Sequence, residues 1–475
     1  MHKSNLLKFF VTVVVLLVLL FIINLINISN QRYYPSLNTI VSFNHSLTQQ
    51  GMTSSRNYTY SNGVINKSFQ FSDIVKGAHN QIISTPTVVN GVAYFGDNNF
   101  YIYAVNAQTG KLVWKTKVNN EIMNQLLVVN GVVYFGTGNN LYKTSITNSS
   151  KLTSVNATGK NSVVRGSGNN GIYALSAKTG KVIWMKSTIG ENMPSFAYKH
   201  GNLYVANGGK HFYSINAKTG TVNWVDNLKG YVSMSSINLN HNVAYFGEGL
   251  PNQTQYVAAI NIRDKKILWQ RAMPQSFGGL TDCSPSSNSK YVVISGEALS
   301  PTPNKFYEVL YVLSKKTGEI AWDHILGFGS NPMAMETANS IIVKNSIYVG
   351  NPIGKGRFYS FNINTGKMNW MTKVYGDVKD GAVYSHGILY FGDEFKNFYA
   401  LNAKNGDVLG VHRFGVGKTA QFSGANPALV NNEIYIGSSD GILYAFPDTY
   451  VYKDTVGFVK YYVWSIFDKI FGFRI

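Results

Sequence analysis

Through most of the chain, apolar and polar residues alternate in short runs, and the runs recur inside one phrase. From Tyr103 to Trp114 it reads Tyr-Ala-Val-Asn-Ala-Gln-Thr-Gly-Lys-Leu-Val-Trp, and it returns at Tyr173–Trp184, Tyr213–Trp224, Tyr311–Trp322 and Tyr359–Trp370. A copy at Ala258–Trp269 has Arg263-Asp264 in place of Thr-Gly, and one at Tyr399–Gly410 keeps Asn405-Gly406 but has no Trp. Alternation with period two predicts strands. The Thr-Gly between two such runs predicts a hairpin whose Gly takes positive φ. A second strand pair precedes the phrase: Thr87–Asn90 and Val92–Gly96, turned at Asn90-Gly91, with equivalents at Val128–Gly136, Ala382–Gly392 and Ala428–Gly437. Four short strands per unit at regular spacing predict the blades of a propeller. Successive Trp lie 70, 40, 45, 53 and 48 residues apart, and the long first step holds an insertion over 141–168, rich in Ser, Thr and Asn.

Seven complete units run from Ile82 to Phe414, followed by a half-unit, Pro427–Phe446. A strand at Val64–Phe71 has no unit of its own, and pairing it with the half-unit would close the ring and remove two exposed edges. The expected fold is therefore all-β: an eight-bladed propeller of four-stranded antiparallel blades over 64–447. It is flanked by an N-terminal transmembrane helix (1–28), a polar tether (29–63) and an amphipathic C-terminal helix (448–475). The apolar run Phe9–Ile23, preceded by Lys3 and Lys8, is long enough with its flanks to span a bilayer and orients the propeller outward. No small-x-small cleavage signal follows it, so a retained single-pass anchor is expected over a removed signal peptide. In the tail, Val459, Tyr462, Val463, Trp464, Ile466, Phe467, Ile470 and Phe471 form one broad apolar face. That face fits a membrane interface, a cap on the propeller or a sister subunit, and a homo-oligomer stays open.

Charge changes the picture next. The chain has 42 Lys and Arg against 23 Asp and Glu, for a net charge of +19. The basic residues are dispersed among turns without a basic run, so no nucleic-acid partner is expected. Scarcity of carboxylates fits an exported protein in acid, because ionised carboxylates that support a fold lose that contribution as pH falls. The single cysteine, Cys283, excludes an internal disulfide framework and reads as a small packing residue. Asn-x-Ser/Thr triplets at Asn44, Asn57, Asn66, Asn148, Asn156 and Asn252 suit a glycosylated exterior.

The phrase Ala-x-Asn-Ala-x-Thr-Gly-Lys-x-x-Trp resembles the repeat of pyrroloquinoline-quinone-type (PQQ-like) propellers, over about 380 residues of this chain. The resemblance implies that Trp114, Trp184, Trp224, Trp269, Trp322 and Trp370 pack structurally between neighbouring blades. It also implies a ligand face where the inner strands begin. Aligned on that face, Glu121, Glu191, Asp282, Glu336 and Asp380 precede inner strands. Lys210, His211, Glu248, Glu297, Arg357, Asp393 and Glu394 lie in the loops between second and third strands. The sharpest departure from the repeat is Gly278-Gly279-Leu280-Thr281-Asp282-Cys283-Ser284-Pro285, where paired glycines bring an Asp toward the axis. A carboxyl crowded there can exchange protons near working pH, while a turn-capping Asp is the plainer alternative.

Three functions follow. Quinone-dependent dehydrogenases resemble a larger ring with an adjacent Cys pair over the cofactor and a Trp beneath it; one cysteine cannot supply the pair, so no PQQ, calcium or other cofactor is expected. A non-catalytic surface scaffold needs only blades and an anchor. The chain also resembles, in part, the tetrathionate hydrolases of acid-living microbes: exported, carboxylate-poor, quinone-independent propellers with a channel Asp. That resemblance implies Asp282 as the proton-transfer residue, with Glu191, Glu336 and Asp380 as supporting carboxyls. Arg357, Lys210, His211 and Asn192 would hold a small anionic substrate. No metal-ligand spacing occurs.

Overall fold

The computed structural model describes residues 69–70, 81–143, 164–250, 253–303, 305–329, 338–354, 356–414, 421–422, 425–439, 441–453 and 455–471. The expected transmembrane segment, the tether, Glu336 and the asparagines of all six glycosylation triplets lie outside them. Among the described residues, no helix is long and apolar enough to cross a membrane.

Eight antiparallel sheets of at least four strands form the ring, so the expected all-β eight-bladed propeller is the observed one. Six blades are built from consecutive strands, and blade 2 from strand pairs on either side of its insertion. The eighth joins Ala428–Val430, Glu433–Gly437 and Leu443–Pro447 to Phe69–Gln70 from the other end of the chain, with Phe69 opposite Ala445. The inner hairpins turn where expected: Asn90 and Gly91 have φ of 50° and 74°, and the pairs Asn130-Gly131, His200-Gly201 and His386-Gly387 match them.

The repeated Trp and the repeated Gly make one device. Except for Trp224, each repeat Trp packs on the Thr-Gly or Asn-Gly turn of the next blade. Its indole N–H donates to a carbonyl there: Trp114 to Ala177 at 2.9 Å, Trp184 to Ala217 at 2.9 Å, Trp322 to Ile363 at 2.8 Å. The turn glycine lies flat against the indole, so a Cβ on Gly180 would come within 2.5 Å of Trp114. Both departures from the phrase then have reasons. Blade 4 turns at Arg263-Asp264 with Lys265 at φ 55° supplying the left-handed corner. Blade 7 carries Gly410 opposite Ala400 where the others carry Trp, because blade 8 takes its outer strand from the N-terminal side and offers no such turn. The helices Tyr450–Lys453 and Thr455–Phe471 pack there instead. Val451, Phe458 and Tyr461 are buried, Tyr461 donates to the Lys373 carbonyl at 2.6 Å, and Trp464 lies on Tyr375. The helix thus packs on the propeller, as the capping role expects.

Around the axis, a belt of hydrogen bonds ties the start of one inner strand to the next. The backbone N–H of Gln125 donates to the Ser195 hydroxyl, Ser195 to Ser236, Ser236 to Ser284 and Ser284 to the Asn339 amide oxygen. Across the closure, Gly381 donates to Asn426, and Asn426 to Thr85. Apolar packing fills the space between blades, as where Phe358 of blade 6 stacks on Phe391 of blade 7 at 4.1 Å.

Blade 5 breaks the pattern. Its middle strands, Tyr291–Leu299 and Phe306–Ser314, have nine residues each, against six or fewer in the other middle strands apart from Asn170–Ser176. The additional rise, near 3.4 Å per residue, lifts a hairpin beyond the ligand face. The short strand Ser276–Gly278 pairs beside it.

Candidate active site

The segment Gly278–Ser284 is fixed by its backbone. The N–H groups of Ser233, Met234 and Ser235 all donate to the Thr281 carbonyl, at 3.1, 2.9 and 2.8 Å, and Leu280 N–H donates to the Gln255 side chain at 2.9 Å. Gly279 at φ 79° makes the bend. Asp282 is thereby held half-buried, its Oδ2 accepting the Thr281 hydroxyl at 3.0 Å. Cys283 beside it is fully buried, with Sγ accepting the Ser295 N–H at 3.3 Å, as a packing residue should be.

Asp282 faces two other carboxyls. Glu191, from the turn into blade 3, is fully buried; burial pushes its carboxyl up to about 8, against the pull of Arg165 and Met193 N–H, and the charge of Asp282 adds to the rise. Glu297, at the raised end of blade 5, is pushed up to about 9 by burial, by Glu308 and by Asp282. Two of these three acids were placed on the ligand face by the repeat alignment and one in its loops, and the fold gathers all three within electrostatic reach. The repeat could not reveal Arg165. It stands on the short ribbon of Tyr142–Lys143 and Val164–Arg165 that the insertion adds to blade 2, and its Nε donates to Glu191 Oε1 at 3.1 Å. Gly138, Gly166 and Gly208 line this pair so closely that a Cβ on any of them would strike Glu191 or the Arg165 backbone. Those glycines were the available signal.

The other named residues are distributed round the ring. Lys210 and His211 follow Gly208, whose N–H donates to the Glu191 carbonyl, so their loop borders the acid group; burial lowers the proton affinity of both side chains. His211 Nδ1 is buried without a partner among the described residues. Asn192 is fully buried, its amide nitrogen bonded to Thr188 at 2.6 Å and its oxygen to Asn207, so it acts as a joint between loops. Arg357 begins a strand of blade 6, with Nη1 3.5 Å from the Tyr359 hydroxyl and a buried Nε that has no partner among the described residues. Asp380 is buried at the start of blade 7. Glu121 is pushed up to about 7 by burial, and Glu248 accepts Gly230 N–H and the Gln270 amide. Asp393 is a turn cap, bonded to the N–H groups of Phe395 and Asn397, and Asp97 repeats the arrangement in blade 1. Between blades 4 and 5 a cavity of about 750 Å³, lined by Lys229, Tyr256, Phe277 and Leu299, borders the Gly278 segment.

The residues present do not fit a bound quinone. Five propeller indoles have their N–H groups committed to carbonyls of the next blade, and Trp224 stacks on Phe212. None is left to floor a cofactor, and the lone Cys283 is packed in the core. Among the described residues, no group of three or more His, Cys, Asp or Glu is placed to hold a metal ion.

A ring of eight blades, six of them carrying the repeat Trp, defines a PQQ-like propeller. Residues 137–299 and 305–448 match the family described as outer membrane protein assembly factor BamB, and residues 59–192 match the β-propeller domain of glucose/ethanol/alcohol dehydrogenases. The chain is 31% identical, over 375 residues, to a tetrathionate hydrolase of Acidithiobacillus ferrooxidans, covering 76% of this chain and 72% of that one. It is 28% identical over 302 residues to a tetrathionate hydrolase of Acidianus ambivalens, covering 59% of this chain and 55% of that one, so this match spans little more than half that relative's length. The chain belongs to the PQQ-like propeller family and, within it, to the family of the tetrathionate hydrolases. By shape it is similar to a quinohemoprotein alcohol dehydrogenase from Comamonas testosteroni (TM-score 0.61, 13% identity, 90% of this chain and 84% of that one). It is likewise similar to BamB from Moraxella catarrhalis (TM-score 0.53, 14% identity, 80% and 96%). These two likenesses concern the fold alone.

Proposed function

We propose that this chain is a quinone-independent hydrolase of a sulfur oxyanion, tetrathionate, acting outside the cell from an N-terminal membrane anchor. The observation that carries the reading is the convergence of Asp282 and Glu297 of blade 5 with Glu191 from the turn into blade 3, in a chain with only 23 acidic residues and with tetrathionate hydrolases among its relatives. One tetrathionate and one water balance as one sulfate, one thiosulfate, one sulfur atom and two protons. In this reading the water oxygen bonds to a sulfonate sulfur, the neighbouring S–S bond breaks with its electron pair on the departing sulfur, and Asp282 gives that sulfur its proton. The departing fragment then sheds one sulfur atom to leave thiosulfate. Arg165, paired with Glu191, would hold a sulfonate. Lys210, His211 and Arg357 complete the basic side of the mouth.

Purified protein incubated with tetrathionate in acid should release thiosulfate, sulfate and sulfur. Asp282→Asn should abolish turnover, by at least about a hundredfold, with its circular dichroism unchanged. Full activity in that variant would remove Asp282 from the mechanism. No turnover by the natural chain would favour the scaffold reading. Fractionating cells and probing the propeller with an external protease tests the anchored, exported placement.

A further inference from the structure

Blade 5 brings two glutamates face to face. Glu297 and Glu308 are direct cross-strand partners on its raised hairpin, and the same row continues to Gly278 on one side and Gly327 on the other. Directly opposed side chains project to one face with Cβ atoms about 5 Å apart. Both are buried, at 1% and 0% exposure. Neither Glu308 oxygen, nor Oε1 of Glu297, has a hydrogen-bond partner among the described residues. Gly278 leaves clearance for the other oxygen, since a Cβ there would come within 2.6 Å of Glu297 Oε2.

Among the described residues, no cation answers this pair. The groups that face it are Asp282 from the loop before the blade, Tyr311 on the strand of Glu308, and the Ser295 hydroxyl. Ser295 pulls Glu308 down without offsetting burial, and its hydroxyl donates to the Ala338 carbonyl at 3.0 Å. Two ionised carboxylates side by side in such a place would repel without compensation, so at least one of the two keeps its proton. Burial accordingly pushes Glu297 up to about 9 and Glu308 up to about 8.

We propose that Glu297 and Glu308 form a proton-sharing carboxyl pair that acts through Asp282, as the proton store of the site. They are positioning residues: the pair touches no reacting atom and keeps a proton beside the group that transfers it. The catalytic part rests on the hydrolase reading; the shared proton and its coupling to Asp282 do not.

Infrared spectroscopy tests those two directly. At neutral pH the natural chain should show the carbonyl stretch of neutral carboxylic acid, diminished in Glu297→Gln and in Glu308→Gln, and displaced in Asp282→Asn. Absence of the band, or a band indifferent to Asp282→Asn, overturns the proposal whether or not the protein turns over tetrathionate. In the assay, the double Gln variant keeps volume and polarity. Its alkaline limb of kcat should shift by about one pH unit or more, with KM unchanged. An unaltered pH profile in a variant that folds and turns over would also overturn it.

Discussion

At the scale of single residues, what keys one blade to the next is an indole against a glycine. Gly180 and Gly91 separate the two demands such a residue meets. Both have positive φ, 69° and 74°, but a Cβ on Gly180 meets Trp114 while one on Gly91 meets nothing within 4 Å. Gly91→Ala should therefore cost about 1 kcal/mol of backbone strain. Gly180→Ala should cost about 3 kcal/mol, because the ring must also give way. Urea unfolding midpoints measured side by side check the difference. The Arg165–Glu191 pair yields a second contrast. Arg165→Met leaves a buried carboxylate without its cation, which at pH near 8 or above should cost about 3–5 kcal/mol. In acid Glu191 takes up a proton and the same variant should lose much less, as melting in the two buffers would show.

At the scale of elements, the docked C-terminal helix occupies the flank where blade 7 lacks its Trp. Tyr461→Phe removes one buried hydrogen bond, to the Lys373 carbonyl, and should lower stability by about 1 kcal/mol, read as a shift in Tm. Ending the chain after Lys453 should do far more, because Tyr375 and its neighbours would then face water. The repeated elements were legible because Thr-Gly, Asn-Gly and the alternation each state a local conformational need. Closure through Phe69–Gln70 was legible because a lone strand and a half-unit need each other. What escaped was whatever depends on long-range placement. An apolar helix face does not say what covers it. The raised hairpin of blade 5 left only a 53-residue step between Trp269 and Trp322 as its trace. For the candidate site, Asp282 stood out because its glycines break the repeat. Arg165 did not, since its approach to Glu191 is created by an insertion that obeys no period, and Glu308 reads as one more strand residue until its partner is known.

At the scale of the whole molecule, eleven carboxyls among the described residues are displaced from their ordinary values, all of them upward and in every case chiefly by burial. Glu121 and Glu433 reach about 7, Glu191 and Glu308 about 8 and Glu297 about 9, against 4.5 for the ordinary group. In that window the folded chain holds protons that the unfolded chain has released. Their contribution to stability is therefore complete below about 4.5 and is lost as pH rises through 7 to 9. The urea midpoint should climb as pH is lowered from 9 toward 5, the reverse of ordinary acid denaturation. Scarcity of carboxylates suits acid surroundings, and the burial of those retained suits them further. The seams carry a last implication, for ancestry. Because most blades present the same ring to the same turn, unequal crossing-over between gene segments could add or drop a blade and still create a junction the protein already knows how to make. The eightfold count is then guarded by the irregular members alone: the borrowed closing strand, the tail that follows it and the tall fifth blade.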